Sequence, residues 1–250
     1  MIRSLGLFAA LVFVPAVKAA EDTPKDIIAK AIKAHGGEEV LTKNKAMTTK
    51  NKGTINIPGV GEAAFEQEVS AMLPDKFKDL TELTIAGQKV TVLSIGNGDK
   101  LSITITAGGK DMDAGDKAKD ALKDALYTMK VARLVTLVTE KGYELSAIGE
   151  DKVNDKPVIG VRVSAKGKKD VSLYFDKKTY LLTKIAFQTT DPASGNEISE
   201  ERIIGEYQKT KEGLPVPKKV LVKHDGKTFL EAEVLEMKFL EKIDDSEFKK

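Results

Sequence analysis

Val171-Ser172-Leu173-Tyr174-Phe175-Asp176-Lys177-Lys178-Thr179-Tyr180-Leu181-Leu182-Thr183-Lys184-Ile185-Ala186-Phe187 is the stretch whose pattern decides the fold. Val171, Leu173 and Phe175 alternate with more polar neighbours, Asp176 to Tyr180 supply a loop, and Leu181, Ile185 and Phe187 resume the alternation. Successive side chains of a strand point to opposite faces, so the pattern predicts a two-stranded hairpin with one apolar face. The same period recurs on both sides, and most of the chain is expected to form one antiparallel sheet whose apolar face needs a cover.

Before the hairpin, Tyr143 to Ile148 and Ile159 to Val163 read as strands around the turn Asn154-Asp155-Lys156-Pro157. After it, Asp191-Pro192-Ala193-Ser194-Gly195-Asn196 carries turn chemistry ahead of a strand near Ile203 to Tyr207. Leu214-Pro215-Val216-Pro217 removes ladder donors and predicts an edge or entry segment, while His224-Asp225-Gly226 marks the tip of a last hairpin. Towards the amino terminus, Ala63, Phe65, Val69, Ala71 and Leu73 share one parity, and Phe77 to Ile85, Lys89 to Ile95 and Leu101 to Thr106 follow across short turns. These make a second antiparallel meander, which Ala107 to Asp113 is expected to break.

Two helical segments interrupt the strands. Thr23-Pro24-Lys25-Asp26 combines an N-cap, a proline at the first helical position and an acid in the first turn, and Gly36-Gly37 closes the run near His35. Ala118, Leu122, Ala125, Leu126 and Met129 recur at helical spacing within an insert over roughly Asp116 to Val138. The insert reads either as a core-packing helix or as a movable lid over a cavity.

Lys and Arg total 40 against 38 for Asp and Glu, a net +2 spread evenly, which gives no footprint for nucleic acid. Arg3, the apolar run Leu5 to Val14 and Val17-Lys18-Ala19 read as a secretory leader over 1–19, leaving one domain over 20–250 in the periplasm or outside the cell. The apolar run is too short for a spanning helix, and no transmembrane segment is expected in the mature chain. The chain has no cysteine, which excludes disulfides and a lipid anchor on a cysteine.

Chemistry-bearing motifs are scarce. His224-Asp225 reads as an exposed hairpin histidine rather than a dyad, and His35 as a complement to the helix dipole. Two distant histidines do not make a zinc site, Asp111-Met112-Asp113 lacks the later ligands of a calcium loop and reads as a solvated linker, and no metal or cofactor is expected. No residue stands out as a nucleophile, so no enzymatic activity is expected.

Ile32-Lys33-Ala34-His35-Gly36-Gly37-Glu38-Glu39, the run Val171 to Lys184, Gly213-Leu214-Pro215-Val216-Pro217-Lys218-Lys219-Val220, Ala232-Glu233-Val234 and Asp244-Asp245-Ser246-Glu247-Phe248 together resemble the LolA/LolB-like superfamily of periplasmic lipoprotein carriers. The resemblance covers nearly the whole mature chain. It implies an α+β, mainly antiparallel fold: an unclosed β-half-barrel with an N-terminal helix and a helical lid insert. It also implies shielding of acyl chains in transit. Tyr180 stands where that family commonly has a glycine, implying altered turn geometry, and Arg133, Arg162 and Arg202 are open candidates for the family's functional arginine.

The expected function is non-catalytic binding or carriage of a lipid, an acylated protein or another hydrophobic ligand between a curved sheet and a helical lid. The expected lining is Phe65, Val69, Leu122, Leu126, Met129, Leu173, Phe175 and Leu181. The alternative is a structural or interaction module of the envelope with a filled barrel; an enzyme would need a buried carboxylate pair facing a pocket.

Overall fold

The computed structural model describes residues 22–211 and 213–249, and the expected leader at 1–19 lies outside them. Helix α1 (Pro24–Ala34) begins with a reciprocal capping box: the Asp26 backbone N–H donates to Thr23 Oγ1, and the Thr23 backbone N–H donates to Asp26 Oδ2. It ends in a Schellman arrangement, with the Gly37 N–H donating to Ile32 O at 2.9 Å and Gly36 at φ 117°. Ile27, Ile28, Ala31 and Ile32 form its buried stripe. A short helix α2 (Glu38–Lys43) follows.

The first meander is β1 (Ala46–Ile57), β2 (Gly61–Met72), β3 (Lys76–Ile85), β4 (Gln88–Asn97), β5 (Lys100–Ala107) and β6 (Lys110–Asp113). The insert is α3 (Asp116–Ala132) and α4 (Thr136–Thr139). The second meander is β7 (Tyr143–Val153), β8 (Lys156–Ala165), β9 (Val171–Asp176), β10 (Leu182–Thr190), β11 (Glu197–Lys209), β12 (Pro215–His224) and β13 (Lys227–Leu240), followed by a 3-10 turn at Asp245–Phe248. Among the described residues thirteen strands form one unclosed antiparallel sheet, in the order β6-β5-β4-β3-β2-β1-β13-β12-β11-β10-β9-β8-β7. The first strand therefore pairs with the last, β6 and β7 are the two edges, and the insert is the chain that connects one edge to the other.

That path carries the insert over the inner face of the sheet. Val131, Leu134 and Leu137 join α1 and the inner residues Val161, Val163, Leu173, Phe175, Ile185 and Phe187 in the main core. Complete burial of side chains such as Leu173 and Phe175 stabilises the fold by about 1.5–3 kcal/mol each. A second cluster, Val69, Ala71 and Phe77, receives Leu122, Leu126 and Met129 from α3. The outer face has its own apolar group of Val153, Val158 and Ile203, and Phe248 is buried beside β3 and β4.

Four local expectations are corrected. Ala107 to Asp113 does not end the meander: Gly108 and Gly109, both at positive φ, turn the chain into β6, whose exposed residues make a short charged edge. The insert is not one continuous helix, because Leu134 adopts φ 60° between α3 and α4. A register shift between Leu182 and Lys184 changes which side chains of β10 face inward, so Leu182 is buried where Leu181 was expected. Tyr180 takes φ 57°, the left-handed region that favours glycine, so the loop keeps a glycine-like conformation. Its hydroxyl donates to Asp22 Oδ2 at 2.7 Å and accepts from Lys30 Nζ at 3.2 Å. The entry reading of Pro215 and Pro217 holds, since both pair with β11 and the ladder to β13 begins at Lys219.

Candidate ligand cavity beneath the helical insert

Between the insert, α2 and the inner face lies a cavity of about 230 Å³. Its walls are largely apolar: Met47 and Ala71 from the first meander, Met129 and Leu134 from the insert, and Ile204 and Met237 from the second. Methionine side chains adapt readily to irregular contents. The proline entry of β12 completes the rim through Pro215 and Pro217.

Of the residues expected to line a pocket, Met129 borders this cavity. Val69, Leu122 and Leu126 lie one layer away, fixing α3 to the sheet. Leu173 and Phe175 are completely buried in the main core, under α1 and the insert, and face no open space. Leu181 is half-buried, and its place on the wall is taken by Leu182. Phe65 borders a separate, wider groove of about 1180 Å³ with a charged surround that includes Lys52, Glu66, Lys89 and Glu233.

The polar groups at the cavity are mostly matched. Tyr207 donates its hydroxyl to Leu182 O at 2.7 Å, and burial pushes that phenol above its ordinary range. His35 is held neutral, because burial lowers its pKa below the usual value. Its Nδ1–H donates to Ala31 O at 2.8 Å, and Nε2 accepts weakly from Leu182 N at 3.5 Å. The ring thus caps α1 as a neutral group, which corrects the expectation of a charged partner for the helix dipole. Arg133, at the break after α3, donates to Lys45 O at 2.7 Å, Leu41 O at 3.1 Å and Asn44 O at 3.2 Å. These bonds tie the insert to the carbonyl end of α2.

The inner face also holds two polar centres that the sequence reading missed. On β11 and β12, Arg202 Nε donates to Glu200 Oε1 at 2.6 Å, and His224 Nε2 sits 3.1 Å from Glu200 Oε2. Glu200 pairs in register with Phe187, and Arg202 lies over the Phe187 ring at 5.2 Å. His224 is therefore partly buried against Glu200 and stacked on Phe229 at 3.9 Å, not an exposed turn residue. Burial raises the Glu200 pKa, but the Arg202 charge and the hydrogen bonds from His224 and Arg202 outweigh it and hold the carboxyl at about 2.

The other centre is a row across β1, β2 and β3. Asn51 Nδ2 donates to Gln67 Oε1 at 2.9 Å, Gln67 Nε2 donates to Asp79 Oδ2 at 2.8 Å, and Thr81 donates to Asp79 Oδ1 at 2.7 Å. Burial pushes Asp79 up to about 6, and the bonds from Thr81 and Gln67 offset only part of that rise. Asn51 Oδ1 is buried without a hydrogen-bond donor. Gln67 stands between Phe65 and Val69 at the same parity of β2, and that one polar residue on an apolar face is the local signal that could have marked the row.

No family model matches the chain, and no curated protein matches it. Solved structures do. A domain named for outer membrane lipoprotein sorting from Vibrio parahaemolyticus is 10% identical, with a TM-score of 0.53 over 90% of this chain and 95% of that one. A LolA superfamily protein from Nitrosomonas europaea is 12% identical, with a TM-score of 0.53 over 92% of this chain and 99% of its own. A DUF1329 family protein from Desulfovibrio piger is 14% identical, with a TM-score of 0.56 over 92% of this chain and 98% of its own. At these identities the likeness is one of fold: this chain has the LolA-like unclosed antiparallel barrel with a helical lid.

Proposed function

We propose that this protein is a non-catalytic binding or carrier protein of the periplasm or the extracellular space. It holds a lipid, an acylated protein or another hydrophobic ligand between the curved sheet and the insert. The observation that carries this reading is the apolar cavity of about 230 Å³ directly beneath the segment that joins the two sheet edges. An interaction module with a filled barrel would leave no such space. The secretory leader read from Arg3 to Ala19 supports export of the 20–250 domain, and the LolA-like fold is the one found in a lipoprotein-sorting domain.

Met129 touches the ligand in this reading, while Val69, Leu122 and Leu126 hold α3 in place over it. Each methylene transferred from water into the cavity contributes about 0.8 kcal/mol, so binding strength grows with the chain length accommodated. Native mass spectrometry of gently purified protein, with displacement of a fluorescent fatty acid, tests the reading. A retained hydrophobic ligand or a displaceable probe is expected; protein that is always ligand-free and never binds the probe defeats it.

A further inference from the structure

Resting on the carrier reading, we infer that the cavity takes one acyl chain with an anionic head, a free long-chain carboxylate, and not a diacyl or triacyl lipid. Two observations point there. The first is size. An engineered apolar cavity of about 150 Å³ is filled by benzene, so about 230 Å³ admits a single chain end and leaves no room for a second chain alongside.

The second is charge. Lys45 and Arg133 are the charged residues on the lining, and no Asp or Glu is among it, although acids and bases are almost equal in the chain as a whole. The neutral polar groups of the wall already have partners: Tyr207 with Leu182 O, Asn44 with Val40 O, His35 with Ala31 O. Arg133 donates to backbone carbonyls, which satisfy its N–H groups without cancelling its charge. Glu140, whose charge acts on Arg133, is itself paired with Lys130 at 2.6 Å. A greasy pocket with two cations and no acid on its wall fits an apolar tail ending in a carboxylate. The tail lies among Met47, Met129, Ile204 and Met237, and the carboxylate meets the Lys45 ammonium within the field of Arg133.

The experiment is calorimetric titration of the delipidated mature protein with dodecanoate, dodecylammonium and dihexanoyl phosphatidylglycerol, each below its micelle concentration. Lys45→Gln and Ile204→Trp are titrated in parallel, and their urea midpoints are checked against the parent. Dodecanoate is expected to bind with one site and about tenfold more tightly than dodecylammonium. Lys45→Gln is expected to remove most of that preference, and Ile204→Trp to remove binding of both ligands. Equal affinity for the two heads, a preference untouched by Lys45→Gln, or tighter binding of the diacyl lipid overturns the single-chain carboxylate while leaving the carrier reading standing. Absence of binding by all three ligands overturns both.

Discussion

Two carboxylates on the inner face of one sheet are driven in opposite directions. Glu200, between β10 and β12, is held at about 2, whereas Asp79, on β3, is pushed up to about 6. Both are withdrawn from water, and burial alone raises a carboxyl in either place. The difference lies in the partners: a guanidinium and an imidazole at Glu200, a neutral amide and a hydroxyl at Asp79. Hydrogen bonds from neutral groups satisfy lone pairs, but it takes a neighbouring positive charge to reverse the effect of desolvation.

The most damaging way to break this contrast is Arg202→Ala. It leaves Glu200 buried with a single partner, and a loss of about 3 kcal/mol is expected in urea unfolding at pH 7. Asp79→Asn acts in the opposite sense, stabilising the protein by about 2 kcal/mol at pH 8 and little at pH 4. Linkage gives the signs. The folded Asp79 binds its proton more tightly than the unfolded one, so its contribution is greatest below about 3.8 and is lost as pH rises through about 6. Glu200 behaves inversely: its contribution is full above about 4.5 and is lost as pH falls towards about 2. The urea midpoint of the parent should therefore decline between about pH 4 and pH 6, and Asp79→Asn should flatten that decline. A midpoint profile identical in the two proteins would refute the assignment. The smallest effect is expected from His224→Asn, about 1 kcal/mol, because Arg202 still faces the carboxylate.

The sheet itself was legible, because alternation in Val171 to Phe187 and Ala63 to Leu73 is local and each apolar side chain reports its own face. Helix α1 was legible for the same reason: Thr23, Pro24 and Asp26 form its start within a few residues. Details that depend on an irregularity were not. The shift between Leu182 and Lys184 reverses parity within a single residue, which moved the buried leucine from Leu181 to Leu182. The insert's most buried line runs through Thr128, Val131, Leu134 and Leu137, beside the periodic set Leu122, Leu126 and Met129, which packs half-buried against the first meander. The Glu200 and His224 pair depends on the register of two strands joined by a turn, and the Asp79 row on three strands at once. The cavity is further from the sequence still, being what remains after Leu173 and Phe175 fill the neighbouring core.

The insert joins the two edges of the sheet, and α3 is 17 residues, about 25 Å, long. It acts as the chord of an arc. An arc spanned by a chord cannot splay further than the chord reaches, so the opening of the mouth is bounded by the length of the insert, of which α3 is the stiff part and Leu134 the bend. Capacity and helix length are thereby linked: a turn added to or removed from α3 would change the size of the tail that fits, with every wall residue left in place.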